Sequence, residues 1–178
     1  DMCFMTKCPY VPPHEWAVDF PHLMLRHRAV QAKKKGADFV ASQLAETDRM
    51  GRLGTFVSGL ANWASDERNV ATRRTMDRLA GIHHGARLPR YADETFEIRA
   101  RREGAEVNPS APAFGKRKAV LYATCFVNFN NTGIGAAARA VLARNGVETE
   151  VVHPACCGMP KLELGDLEAV AAAARQVS

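Results

Sequence analysis

The stretch Ala119-Val-Leu-Tyr-Ala-Thr124 decides the fold class, because this continuous apolar run predicts a buried β-strand. Residues 136–145 then predict a helix that ends at Gly146, and residues 147–152 predict a second strand. A strand, a helix and a second strand in this order form a β-α-β unit with parallel strands. Because a further helix is predicted from about Asp166, we expect the C-terminal part of the chain to be α/β.

The region before this unit is expected to be mainly helical. Apolar residues recur with helical spacing over residues 20–35, and Gly36 follows three lysines as a C-cap. Further helices are predicted at residues 38–47, at 51–64, and from 65 or 66 to about 79. The proline-containing segment 85–117 is interpreted as a wrapped connector, with no regular element assigned. The expected fold class is therefore α+β overall.

Composition and charge limit the class of protein. An apolar fraction of 47% over 178 residues suits a folded domain and part of a second one. No run approaches the roughly 18 apolar residues that a membrane-spanning helix needs, so we predict no transmembrane segment. The chain begins at Asp1 without a methionine or a signal-peptide pattern, and we interpret it as an internal piece of a longer protein.

The formal net charge of +5 comes from many arginines between residues 49 and 102. Solvated helix faces explain these arginines better than nucleic-acid binding does, because no nucleic-acid motif or interleaved aromatic residues accompany them. We therefore predict no nucleic-acid partner. Peripheral contact with an anionic membrane surface stays open.

Three of the five cysteines follow the two predicted strands. Cys125 comes directly after the first strand, and Cys156 and Cys157 come four and five residues after the second. Neighbouring parallel strands lie about 4.8 Å apart and end at the same edge of the sheet, so these thiols are expected to converge there. Gly158 permits a tight turn after the adjacent pair. Such thiolates would bind an iron–sulfur cluster or a zinc ion.

The other two cysteines lie in a proline-rich N-terminal segment. These are Cys3 and Cys8, and Pro9 directly follows Cys8. A cysteine before a proline is typical of the end of a ferredoxin-type cluster motif. The prolines exclude a regular helix or a central strand, so a ligand-bearing loop is predicted. Because a four-iron cluster needs four thiolates, its remaining ligands are expected outside residues 1–178.

These residues carry a family resemblance over nearly the whole chain. It resembles the iron–sulfur subunit of anaerobic glycerol-3-phosphate dehydrogenase and its relatives among the heterodisulfide reductase subunits. The stretches that carry the resemblance are Cys3-Phe-Met-Thr-Lys-Cys-Pro-Tyr-Val-Pro-Pro-His14, Asp19-Phe-Pro-His-Leu-Met24, Gly81-Ile-His83, Leu88-Pro89, Tyr91-Ala92, Thr95-Phe96, Cys125 and Cys156-Cys-Gly-Met-Pro160.

The resemblance implies three parts along the chain. Residues 1–19 would be the end of a ferredoxin-type domain, 20–112 a helical region and connector, and 113–178 the first part of a cysteine-rich CCG domain. The first ferredoxin cysteines and the CxxC that usually follows the CCG stretch are absent from this sequence.

The function implied by the resemblance is electron transfer through 4Fe-4S clusters. Cys3 and Cys8 would ligate a ferredoxin-type cluster, and Cys125, Cys156 and Cys157 would ligate a CCG cluster. The partners would be other subunits of an anaerobic redox complex, in the cytoplasm or at the inner face of the cell membrane. No catalytic residue is assigned, and whether the chain is itself an enzyme stays open.

Two rival interpretations come from the same residues. A zinc-binding structural or interaction module would use Cys125, Cys156, Cys157 and His153 as four tetrahedral ligands. A dinucleotide-binding enzyme would use Gly133-Ile-Gly135, which opens a GxGxxA pattern before a helix. That pattern lacks the expected acidic residue after the second strand.

A pair of neighbouring histidines also precedes the connector. His83 and His84 could be proposed as a metal or proton-relay site, but we interpret them as surface histidines at the end of a helix.

Overall fold

The computed structural model of the protein describes residues 8–36 and 38–178. These residues are mostly helical and contain one small parallel sheet, which agrees with the expected α+β class. The helices are α1 (Phe20–Lys35), α2 (Phe39–Ala45), α3 (Thr47–Phe56), α4 (Ser58–Ser65), α5 (Val70–Ala80), α6 (Phe96–Glu103), α7 (Cys125–Phe129), α8 (Thr132–Arg144), α9 (Met159–Leu164) and α10 (Leu167–Val177), and the strands are β1 (Lys118–Tyr122) and β2 (Glu148–Val152).

The described chain divides into two compact units. One comprises the described residues up to Ala45 together with 157–176 and 178, and the other comprises residues 46–156 and 177. We call them the terminal unit and the central unit. The predicted domain boundaries after residues 19 and 112 stay predictions.

The β-α-β unit lies in the central unit, as the sequence predicts. β1 and β2 pair in parallel, with Lys118 opposite Glu148 and Tyr122 opposite Val152. Helix α8 joins the strands, and Gly146 follows it with a φ of 80°, a conformation that favours glycine. The small core beside this sheet contains the buried residues Phe96, Ala100, Ala123 and Val151.

The connector contains a helix that the sequence analysis did not assign. Helix α6 begins after Thr95, whose hydroxyl accepts a hydrogen bond from the Ile98 N–H at 3.2 Å. It ends at Gly104, which has a φ of 62°. Phe96, at its first position, is 1% exposed and lies in the core. The expectation of a connector without a regular element is therefore wrong for residues 96–103, since a capped and buried helix occupies them.

The predicted helix at residues 51–64 is divided into α3 and α4, which meet at Val57. Two glycines of α3 explain how this region packs. A Cβ atom on Gly51 would overlap the ring of Phe129, and one on Gly54 would overlap the ring of Tyr91. Close packing therefore explains Gly51 and Gly54, whereas a Cβ atom on Gly59 would meet nothing within 4 Å.

In the terminal unit, α1 has the predicted bounds. The Asp19 carboxylate accepts a hydrogen bond from the His22 N–H at 3.2 Å, and the Gly36 N–H donates to the Ala32 carbonyl at 2.9 Å. No residue of α1 is buried. The helical spacing of its apolar residues therefore predicts the helix correctly but does not indicate a buried core. Helix α9 packs on α1 and α2, where Gly165 approaches the α1 backbone closely.

Candidate functional site

The central unit brings together two of the predicted ligands, Cys125 and Cys156. Cys125 is the first residue of α7, three residues after β1, and Cys156 follows β2 by four residues. Their side chains are close enough to interact through a hydrogen bond. The convergence expected at the carboxyl edge of the sheet is therefore present for this pair of thiols.

The surroundings of Cys125 favour the neutral thiol. Burial raises the pKa of Cys125 above its ordinary value, and the neighbouring Cys156 side chain raises it further. Contacts with the Thr47 hydroxyl and the Phe126 N–H act in the opposite direction and lower the pKa. Since a bound metal ion deprotonates its thiol ligands, this raised pKa describes the metal-free pair.

A buried hydroxyl accompanies the thiols. The Oγ1 atom of Thr47, the first residue of α3, is buried and has no hydrogen-bond partner of ordinary geometry among the described residues. It nevertheless lies close enough to Cys125 to lower the pKa of that thiol. A thiolate or another sulfur atom beside it would supply the missing acceptor.

Asp48, the next residue of α3, fixes the backbone at Cys156. Its Oδ2 atom accepts a hydrogen bond from the Cys156 N–H at 2.6 Å. Its Oδ1 atom lies 3.0 Å from Nε2 of His153, whose side chain is only 3% exposed. One carboxylate therefore links the start of α3 to both His153 and Cys156 in the segment after β2.

Both ring nitrogens of His153 have a partner. Nδ1 lies 2.6 Å from the Ala123 carbonyl oxygen, which can only accept a hydrogen bond, so Nδ1 carries a hydrogen. Nε2 lies 3.0 Å from Oδ1 of the Asp48 carboxylate. Contacts within the central unit therefore hold the ring at both of its nitrogen atoms.

Aromatic side chains hold the same segment from β1 and α7. The Tyr122 hydroxyl donates to the Ala155 carbonyl at 2.6 Å, directly before Cys156. The ring of Phe129 meets the His153 ring edge-on, with centroids 5.2 Å apart, and Phe129 is 2% exposed. The segment at residues 153–156 is therefore fixed by contacts from three separate elements.

The remaining predicted ligands lie in the terminal unit or outside the described residues. Cys157 begins the C-terminal segment of the terminal unit, where its side chain is exposed, and Gly158 follows with a φ of 85°. Cys8 lies half-buried in the loop before α1, and Cys3 lies outside the described residues. The four described cysteines are free of disulfides. Assignment of all five as cluster ligands stays a prediction.

The geometry bears on both rival interpretations. The two ring nitrogens of His153 face Ala123 and Asp48, which does not favour His153 as a zinc ligand. A Cβ atom on Gly135 would overlap the ring of Phe96, so this glycine serves helix packing in the core. The GxGxxA pattern therefore needs no dinucleotide to explain it.

Sequence analysis missed Thr47 and Asp48 as parts of this site. Asp48 and Cys156 are 108 positions apart, and no local spacing joins them. The acidic first turn of α3 is an ordinary feature of a helix start, so it gave no signal of a second role.

Comparisons with known proteins leave this site without a relative to guide its interpretation. No protein-family model matches the sequence, and no curated protein or solved structure shows significant similarity to it. None of the described helices is long and apolar enough to cross a lipid bilayer.

Proposed function

We propose that the chain is part of an iron–sulfur electron-transfer subunit of an anaerobic oxidoreductase complex. In this proposal Cys125, Cys156 and Cys157 contribute thiolates to a CCG-type cluster, and Cys3 and Cys8 contribute to a ferredoxin-type cluster. Other subunits of the complex would be its partners, in the cytoplasm or at the inner face of the cell membrane.

One observation carries the proposal: the thiols of Cys125 and Cys156 are neighbours at the end of two parallel strands. Ligands of open α/β sheets bind at this edge. Cys157 follows immediately in the chain, and the left-handed Gly158 after it permits the curled backbone that adjacent cysteine ligands require.

The donor set fits a sulfur-ligated iron cluster. The buried Thr47 hydroxyl beside Cys125 lacks an acceptor of ordinary geometry in the described part of the chain, and hydrogen bonds to sulfur are a means by which proteins tune cluster potentials. When bound, a four-iron cluster supplies one-electron transfer. Asp48 holds the Cys156 backbone in place, and the Phe126 N–H interacts with the Cys125 sulfur. These contacts would position the thiolates and stabilise their negative charge.

The zinc-binding module has less support. Its fourth ligand would be His153, whose ring is held by the Ala123 carbonyl and by Asp48. Recruiting that ring to zinc would break its contact with the Ala123 carbonyl or its contact with Asp48, and both contacts are formed in the metal-free chain.

The proposal is tested by anaerobic reconstitution, with ferrous iron and sulfide, of a protein that holds this chain together with the further ligands that each proposed cluster needs. We expect a brown protein with broad visible absorbance and bound acid-labile sulfide. Cys125→Ser and Cys156→Ser should each lower iron and sulfide, because each removes one of the two converging thiols. Cys8→Ser should lower only the fraction bound at the N-terminal site.

Met159→Ser is the matched control, because Met159 also carries sulfur, adjoins Gly158 and is 55% exposed. It should leave the iron content unchanged. A protein that holds those further ligands and still stays colourless, or that binds stoichiometric zinc in place of iron, would contradict the proposal. So would equal iron content in the parent chain and in Cys125→Ser and Cys156→Ser.

A further inference from the structure

A second group of metal-ligating side chains lies in the central unit, at the end of α5. This helix ends at Gly81, whose φ of 65° turns the chain back toward the last helical turn. His83 and His84 follow, and each contributes one ligand atom to a group with Asp77. All three atoms lie within 4.8 Å of one another, and no other group of three in the described residues converges in this way.

The distances suit a single ion. Nδ1 of His84 lies 2.8 Å from Oδ2 of Asp77, and the His83 and His84 ring centroids are 4.4 Å apart. Two ligands that bind one ion at about 2.1 Å, with an angle of about 90–110° between them, lie about 3 Å from each other. The His84 and Asp77 atoms therefore have a separation close to that of two ligands on one ion. The ion would replace the hydrogen that the His84 ring donates to Asp77, and a rotation of the His83 side chain would bring in the third ligand.

The loop that carries the two histidines is held in place. Arg73 of α5 is 1% exposed, and its guanidinium donates hydrogen bonds to three loop carbonyls. The carbonyl acceptors are those of His83 at 3.1 Å, His84 at 3.0 Å and Ala86 at 2.6 Å. A backbone fixed before binding lowers the entropic cost of assembling a site.

Local contacts also hold the side chains near one another in the metal-free chain. The His84 N–H donates to Asp77 Oδ2 at 3.1 Å, and the Gly85 N–H donates to His83 Nδ1 at 3.2 Å. Hydrogen bonds from the His84 ring and backbone hold the pKa of Asp77 below its ordinary value. The carboxylate therefore keeps the negative charge that offsets the charge of a bound cation.

We propose that Asp77, His83 and His84 form a binding site for a divalent transition-metal ion of the Zn²⁺ or Ni²⁺ class. Imidazole and carboxylate ligands suit these ions, and three protein ligands leave further positions to water. The ion would fasten the loop at residues 83–86 to the end of α5. This site shares no residue with the cysteine site and is independent of the proposed electron-transfer function.

The chain supplies its own control for this proposal. Asp19 and His22 form a similar exposed pair, with Nδ1 and Oδ2 2.5 Å apart, but no third ligand joins them among the described residues. A histidine–aspartate pair alone should bind an ion weakly. The second histidine is the feature that distinguishes the proposed site.

The test is calorimetric titration of the whole chain with Ni²⁺, comparing the parent with His83→Gln, His84→Gln, Asp77→Asn and His22→Gln. Thiol binding contributes equally to all of them, so differences report the histidine site. We expect His83→Gln and His84→Gln to bind one equivalent less than the parent, and Asp77→Asn to bind at least about tenfold more weakly at this site. His22→Gln should bind as the parent does.

Ring-nitrogen NMR with Zn²⁺ provides the residue-level measurement. The His83 and His84 signals should shift together at one equivalent of the site, while those of His22 stay unchanged. Equal stoichiometry in the parent, His83→Gln and His84→Gln would overturn the proposal. Unmoved His83 and His84 ring signals would overturn it as well.

Discussion

Two histidine–aspartate pairs in the central unit have nearly the same geometry and very different surroundings. His153 and Asp48 lie 3.0 Å apart, with side chains 3% and 26% exposed. His84 and Asp77 lie 2.8 Å apart, with side chains 54% and 36% exposed. Since the contact distances differ little, the surroundings decide what each pair can do.

This difference shows that burial determines what a histidine–aspartate pair can do. In the buried pair, water cannot replace a lost partner, so the contact supports the fold around Cys156. In the exposed pair, water can replace either partner at small cost, so the contact is weak and its atoms stay accessible to an ion. The following predictions test this contrast, from the largest expected effect to the smallest.

Asp48→Ala should destabilise the protein by about 3 kcal/mol, because it leaves the buried His153 ring and the Cys156 N–H without their acceptor. Asp48→Asn retains an acceptor oxygen and should therefore lower the free energy of unfolding by a smaller amount. Urea unfolding followed by circular dichroism measures both. A loss below about 1 kcal/mol for Asp48→Ala would show that the buried pair behaves like an exposed one.

Arg73→Met should lower the free energy of unfolding by about 2 kcal/mol, because it removes the buried charged donor that the loop carbonyls share. Amide hydrogen exchange should also quicken over residues 83–86, which carry the exposed pair. Arg74→Met, at the exposed next position of α5, is the control and should leave both measurements unchanged. Unaltered exchange in Arg73→Met would contradict the idea that Arg73 anchors the loop.

The alkylation rates of the thiols test whether the site around Cys125 is closed to solvent. In the metal-free chain, Cys125 should alkylate several-fold more slowly than the exposed Cys157, because burial raises the Cys125 pKa and leaves less thiolate at neutral pH. Iodoacetamide labelling followed by mass spectrometry gives the rate at each cysteine. Equal rates would mean that the Cys125 environment is open to solvent.

The exposed pair should produce only a small dependence of stability on pH. Hydrogen bonds from His84 hold the pKa of Asp77 below its ordinary value, so the contribution of Asp77 is present above the unfolded-state pKa of about 3.9 and is lost as the pH falls through the folded-state pKa. Unfolding curves between about pH 5 and pH 2.5 should show less acid destabilisation in Asp77→Asn than in the parent. An identical pH dependence in both proteins would indicate that the pair is not formed in solution.

Local sequence signals predicted much of this fold. The β-α-β unit followed from an apolar run, a helical segment and Gly146, all of which act over a few residues. The bounds of α1 followed in the same way from the basic last turn and Gly36. The convergence of Cys125 with Cys156 needed one further rule, that parallel strands end at a common edge.

What the sequence did not reveal depends on distant contacts. Asp48 contacts His153 and Cys156, which lie 105 and 108 positions further along the chain. Only the folded backbone brings these residues together. Helix α6 is a different case, because Thr95 and Gly104 are local cap signals at its two ends. The surrounding prolines outweighed those signals in the interpretation of the connector.

The hydrogen bond from Cys156 to Asp48 also determines when, during synthesis of the chain, the cysteine site can form. Because 108 positions separate these residues, Asp48 is synthesised well before Cys156, and the contact can form only after Cys156 has been added to the chain. Until then Cys125 has neither its neighbouring thiol nor the fixed segment beside it. A nascent chain that stops short of Cys156 should therefore carry the complete first strand and still lack an assembled thiol pair.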